Sequence, residues 1–188
     1  MKYCSNCGHA LDIRIPEGDN RPRSCCPQCG TIHYVNPKIV VGTIPVYQGQ
    51  VLLCKRAIEP RYGYWTLPAG FMELAETTHE GALRETWEEA GAKAELGPLF
   101  TMLDVKRADQ VHLFFRAHLP TPDYSAGEES LDVQLFDEAD IPWQDLAFKT
   151  VETTLKLFFK DRSQGQYSLH TGDVFEPVSW PAESFKPQ

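Results

Sequence analysis

No run of about eighteen apolar residues occurs anywhere in the 188-residue chain, so no segment is long and apolar enough to cross a bilayer as a helix. The N-terminus, MKYCSNCGHA, lacks the apolar core of a secretory signal. These two absences predict a cytoplasmic protein with no membrane partner. Positive charge is also scarce: 18 Lys and Arg against 26 Asp and Glu leave a net charge of −8. Such a balance offers no broad attraction to nucleic acid or an anionic membrane, and a polyanionic ligand needs local compensation. Internal repeats and low-complexity segments are absent too. What is present, 42% hydrophobic residues and four tryptophans, suits a folded globular chain. The length holds one ordinary domain with a core of its own plus a small appendage.

Large apolar side chains are few in residues 1–35, and a unit that small needs a metal or disulfides to hold a fold. Four of the six cysteines fall in two C-x-x-C-G pairs, Cys4/Cys7 and Cys26/Cys29, with eighteen residues between Cys7 and Cys26. That spacing is the pattern of a tetrahedral Zn²⁺ site. Cys25 offers a C-x3-C alternative, but Pro27 and the match to the first pair favour Cys26. Cys54, inside VLLCKR, reads as a buried core thiol. The expectation is a zinc ribbon over 1–35 with a structural Zn²⁺. Its charges (Lys2, Arg14, Arg21, Arg23) are interrupted by Asp12, Glu17 and Asp19, which favours a supporting or dimer-contact role over nucleic-acid recognition.

Residues 36–160 read as an α/β domain with helices packed on a sheet. NPKIVVGTIPVY and QVLLCKRA are strand-like and flank the turn Gln48-Gly49; YWTLPAG, LFTMLDV, VHLFFRAHL and DVQLFDEADIP supply further strands. WQDLAFKTVETTLKLFFKD has helical periodicity. The tail, 161–188, takes no assignment.

The segment from Gly70 to Ala92, GFMELAETTHEGALRETWEEAGA, carries six glutamates in twenty-three positions. Thr77 with Glu80 makes a capping box, so a helix is predicted to start near Thr78, and Gly91 suits the position past its end. Leu83, Trp87 and Ala90 form an apolar stripe assigned to the sheet, with Glu85, Glu88 and Glu89 on the opposite face. Gly81 is costly mid-helix by about 1 kcal/mol, which makes sense if a ligand or a loop approaches the backbone closely. Arg84 lies four before Glu88, within reach of its carboxylate. Crowded glutamates are explained by divalent cations: Mg²⁺ or Mn²⁺ takes hard oxygen ligands together with substrate phosphates.

The fixed residues Gly70-x5-Glu76-x7-Arg84-Glu85-x2-Glu88-Glu89-x-Gly91 resemble the Nudix box. All seven fixed positions are filled; Thr86 and Ala92 stand where bulky aliphatics are usual. The resemblance implies an α/β/α sandwich with a mixed sheet and a metal-dependent pyrophosphohydrolase. It implies Glu85, Glu88 and Glu89 as ligands of Mg²⁺ or Mn²⁺, joined by the carbonyl of Ala69, with Glu76 holding Arg84 or a metal-bound water. A further glutamate from a later loop, Glu129 first and Glu128 second, is implied as ligand or general base. Over most of 3–150 the chain is similar to plant chloroplast FAD pyrophosphohydrolases, which also act on ADP-ribose, and their bacterial relatives. The implied substrate is a small dinucleotide-type molecule, FAD or ADP-ribose, and the implied assembly a homodimer. NADH-type pyrophosphatases share the ribbon but carry an SQPWPFP-type element, which this chain lacks after Gly91; a non-catalytic ADP-ribose sensor is the other alternative. Tyr62, Tyr64, Trp65 and Phe71 are candidates to stack on a base or flavin, Arg56 and Arg61 to meet phosphate, and Phe148 a weaker contact.

Overall fold

Gln48 and Gly49 both have positive φ, 47° and 89°, which is the geometry of a two-residue hairpin turn. In this computed structural model, which describes residues 1–174, the turn joins β4 (Lys38–Tyr47) to β5 (Gln50–Arg56). Val46 pairs with Val51 and Tyr47 with Gln50. The apolar run of β4 is continuous because both its faces are covered. Val41 and Thr43 face α1 (Thr78–Ala90), packing with Ala82 and bonding Thr86, whereas Ile44 belongs to the cluster with Val151, Leu155 and Phe158 of α2 (Lys149–Gln164). Period-2 alternation of one strand between two helices is what makes the unit an α/β/α sandwich.

Around this pair lie β6 (Trp65–Thr66), β7 (Ala69–Phe71), β8 (Glu95–Val105), β9 (Gln110–His118), β10 (Ser130–Phe136) and β11 (His170–Asp173). The main path runs β10-β5-β4-β9-β8-β11, with β6 on β5 and β7 on β4. The sheet is mixed: β4–β9 and β8–β11 are parallel and the other pairs antiparallel. The boundary expected after residue 160 falls inside α2, and β11 extends the sheet with four residues of the expected tail. The second half of that tail, 175–188, lies outside the described residues.

Two compact units meet in sequence at Pro37 and Lys38. The first unit, Met1–Pro37, is a three-stranded antiparallel sheet of β1 (Asp12–Arg14), β2 (Arg23–Cys25) and β3 (Ile32–His33). Its buried residues are Cys4, Cys25 and Cys26 and no others. Backbone bonds from Gly8 N to Cys4 O (2.9 Å) and Gly30 N to Cys26 O (3.0 Å) close two matching knuckles.

Candidate metal centre and active site

In the first unit the four expected cysteine sulfurs converge, all within 4.8 Å of one another. Cys4 Sγ lies 3.7 Å from Cys29 Sγ, and Cys7 Sγ lies 3.4 Å from Cys26 Sγ. Tetrahedral Zn–S bonds of about 2.3 Å separate sulfurs by about 3.8 Å, so the donor set fits Zn²⁺. Asn6 N–H points at Cys4 Sγ (3.4 Å), the His33 Nε2 atom lies 3.3 Å from the same sulfur, and the Thr31 hydroxyl lies 3.1 Å from Cys29 Sγ. Cys25 is buried but outside the cluster.

In the second unit the helix begins as its sequence predicts. The Thr77 side chain accepts from Glu80 N–H (3.2 Å), Glu80 Oε2 accepts from Thr77 N–H (2.8 Å), and Gly91 closes the helix in the left-handed region. Its faces are not as expected. Trp87, assigned to the sheet, is 53% exposed under the Lys93 side chain, and Leu83 is only half-buried. The buried face is Gly81, Ala82, Glu85, Thr86, Glu89 and Ala90. Two of the three clustered glutamates therefore sit on the sheet side. Gly70 makes room for one of them: a Cβ there meets the Glu85 carboxylate at 2.4 Å. Gly81 admits Glu76 in the same way, its Cβ position lying 2.7 Å from Glu76 Oε1.

Arg84 organises the acidic side chains. Its Nε and Nη2 donate to both oxygens of Glu76 (3.0 and 2.8 Å), and Nη1 donates to Glu85 Oε1 (2.8 Å) and Glu88 Oε2 (2.9 Å). Nη2 also donates to the Phe71 carbonyl at 3.2 Å. This two-pronged bond holds the Glu76 carboxyl down at about 2. Repulsion among Glu76, Glu85 and Glu88 is thus offset within the protein by one guanidinium.

Glu89 lies apart from this arginine. Burial pushes its carboxyl up to about 8; the Ala69 N–H, 3.0 Å from Oε2, opposes the shift, and the charges of Glu85 and Glu129 add to it. Burial also raises Glu85. Carboxylates whose charge is this poorly solvated mark a candidate functional site and suit a hard divalent cation. A cation has to compete with Arg84 Nη1 for Glu85 and Glu88, while Glu76 retains Nε and Nη2.

These groups line a cavity of about 950 Å³. Ala69, Phe71, Arg84, Glu85, Glu88, Glu89, Glu128 and Glu129 border it, as do Arg56 and Phe148. Arg56 is 8% exposed, donates through Nε to Pro60 O (2.9 Å) and lies 5.0 Å from the Phe148 ring centre. No carboxylate among the described residues lies within salt-bridge distance of it, although its charge partly opposes the upward shift of Glu89. Tyr62, Tyr64 and Trp65 do not border the cavity. Trp65 packs edge-on against Phe136 (4.9 Å), Tyr64 lies under the Arg61 guanidinium (5.3 Å), and Tyr62 is exposed. Ile58, Val40, His112 and Thr150 do border it, and sequence reasoning passed over all four. The only signal for His112 was one polar residue inside VHLFF.

A profile of the NUDIX domain matches residues 36–176, and a zinc-ribbon profile described as Nudix N-terminal matches residues 2–35. This chain belongs to the Nudix family. A solved structure of a NUDIX hydrolase from Nitrosomonas europaea is 51% identical with a TM-score of 0.89, covering 92% of this chain and 98% of that one. An ADP-ribose pyrophosphatase of Methanocaldococcus jannaschii is 29% identical over 58% of this chain and 67% of its own length. An NAD-capped RNA hydrolase NudC of Chromobacterium violaceum is 36% identical over 47% of this chain and 33% of its own length. The chain thus spans between a third and two thirds of these two curated relatives.

Proposed function

We propose that the chain hydrolyses the pyrophosphate bond of a nucleoside diphosphate derivative, FAD (to FMN and AMP) or ADP-ribose (to AMP and ribose 5-phosphate), with Mg²⁺ or Mn²⁺. The observation that carries this reading is one cavity lined by Glu85, Glu88 and Glu89 and by the buried Arg56, which has no salt-bridge partner among the described residues. Bound at the glutamates, a divalent cation supplies charge neutralisation for the diphosphate and activation of the attacking water. Arg56 meets a phosphate oxygen and compensates locally for the acidic chain. Glu129 takes the water's proton, with Glu128 as second candidate. Phe71 and Phe148 offer ring faces to a planar base. Zn²⁺ in the cysteine cluster holds the ribbon. The name of the archaeal relative, ADP-ribose pyrophosphatase, supports a small-molecule substrate. Relatives named NAD-capped RNA hydrolase support a second reading, an NADH-type pyrophosphatase. The complete box weighs against a non-catalytic sensor.

The test is turnover of FAD, ADP-ribose, NADH, diadenosine polyphosphates, CoA and NAD-capped RNA with each cation. Release of AMP from FAD or ADP-ribose at the highest kcat/KM is the expected result. Preference for NADH or capped RNA selects the second reading, and no turnover of any of them leaves the sensor.

A further inference from the structure

The glutamates of the site come from two places far apart in the chain: Glu85, Glu88 and Glu89 from α1, Glu128 and Glu129 from the loop before β10. How that loop is attached decides where its carboxylates lie. A helix ends with carbonyls that have no partner within the helix. At the end of α1 the Trp87 carbonyl accepts from Gly91 N–H (2.8 Å), and the loop satisfies the next two that are bonded: Gly127 N–H donates to Glu89 O (3.1 Å) and Ser125 N–H to Ala90 O (2.8 Å). The loop's own turn closes through Ser130 N–H to Gly127 O (3.1 Å), and its far end is fixed by Ala57 N–H donating to Glu129 O (2.8 Å). The loop therefore completes the C-terminus of the helix that carries the box.

Contact is closest at Gly127. A Cβ built there falls 1.7 Å from the Glu88 carbonyl oxygen and 2.9 Å from its carbon. The neighbour is backbone, with no side-chain rotamer to give way. The backbone of Gly127 does not have the left-handed φ that only glycine adopts freely. Glycine is needed there for approach alone. The Ser125 side chain lies at the same junction, where a Cβ on Gly91 meets Ser125 Oγ at 2.4 Å.

We propose that Gly127 is a positioning residue that locks the Glu128–Glu129 loop to the last turn of α1, so that carboxylates from both segments move as one body. The proposal rests on Glu129 or Glu128 serving the hydrolytic step. A side chain at 127 pushes the loop outward by about 1 Å or more, and a displacement of about that size costs roughly 100-fold in rate.

The experiment is a double-mutant cycle between Gly127→Ala and Glu129→Gln, repeated with Glu128→Gln, read on kcat and KM with whichever substrate the chain turns over. Expected is a fall in kcat of about 100-fold for Gly127→Ala, a KM change under about 3-fold, and little further loss when it is added to the glutamate variant. Full additivity with both glutamate variants overturns the proposal, because the glycine then acts elsewhere. So does a Gly127→Ala enzyme with unchanged kcat. Amide hydrogen exchange on the unmodified protein gives an independent decision if the variant fails to fold. Ser125 and Gly127 amides exchange as slowly as the last turn of α1 if the lock exists; free exchange sinks it. If nothing is turned over, the hydrolytic reading falls by itself and the exchange data still judge the attachment.

Discussion

Among the described residues four sulfurs converge in one place and glutamates line a cavity in another, and the two sets are supported in opposite ways. The four thiols are carried by two tight turns beside strands of two or three residues, in a unit whose buried residues are themselves cysteines. Nothing apolar is large enough there to hold the loops without the ion. Glu85, Glu88 and Glu89 sit on a thirteen-residue helix whose buried face packs on a sheet, and an arginine bonds two of them, together with Glu76 ahead of the helix. On the proposed reading, an ion would make the fold in the first region, and the fold would stand ready for an ion in the second. Soft ligands in a closed tetrahedral set suit permanent binding, and hard ligands at the edge of a cavity suit exchange with substrate.

The comparison breaks most visibly at zinc. Structural Zn²⁺ in such units is worth about 10–16 kcal/mol of folding free energy. Cys26→Ser or strong chelation is expected to abolish zinc content and slow exchange throughout 1–37, leaving the unfolding transition of the second unit in place. A ribbon that keeps its protected amides without metal contradicts the contrast. Next in size is Glu88→Gln. Its side chain is 55% exposed, so stability should hardly change, while kcat falls by about 100-fold or more. Unchanged turnover removes Glu88 from the site.

A third measurement sharpens the second half of the contrast. Glu89 has an ordinary value of 4.5 and is held at about 8 by burial. Between those two pH values the unfolded chain has released a proton that the folded one keeps, so the metal-free protein loses stability as pH rises through that window. Glu89→Gln removes the penalty. It should flatten the dependence and raise Tm at pH 8 by about 5 °C, the shift for about 2 kcal/mol in a domain of this size. An unchanged slope in the variant means the carboxyl is already ionised at neutral pH. The smallest effect belongs to Trp87→Ala, expected within about 0.5 kcal/mol of the parent because the ring lies on the solvent face. A loss several times larger restores the face assignment that the structure overturned.

Much of this was legible from local chemistry. The capping box gave the helix start at Thr78, the turn pair Gln48-Gly49 gave the hairpin, and cysteine spacing gave the sulfur cluster. Each of those signals is short in sequence and needs no tertiary partner. The helix faces were illegible for a physical reason. A stripe of apolar residues predicts burial only if polar residues stay outside, and here Glu85 and Glu89 are buried because Arg84 and the Ala69 amide pay part of their desolvation. Thr86 follows the same logic at a position usually aliphatic: its hydroxyl is fully buried yet satisfied by Thr43 (2.6 Å) and the Ala82 carbonyl (2.7 Å). Aromatic content near the box misled in the other direction, since nothing in YGYWTLP distinguishes a ring that lines a cavity from one that packs beneath a strand. β11 gave no signal because HTGD is too short and too polar to show alternation.

That short strand has a consequence for how the chain behaves when cut. β8 is eleven residues long, and β11 occupies its outer side along Thr101–Asp104. A protein truncated at residue 160 bares that ladder of amides and carbonyls, and such an uncovered edge recruits other chains. Shortened versions should therefore precipitate or self-associate even where every glutamate of the cavity remains intact.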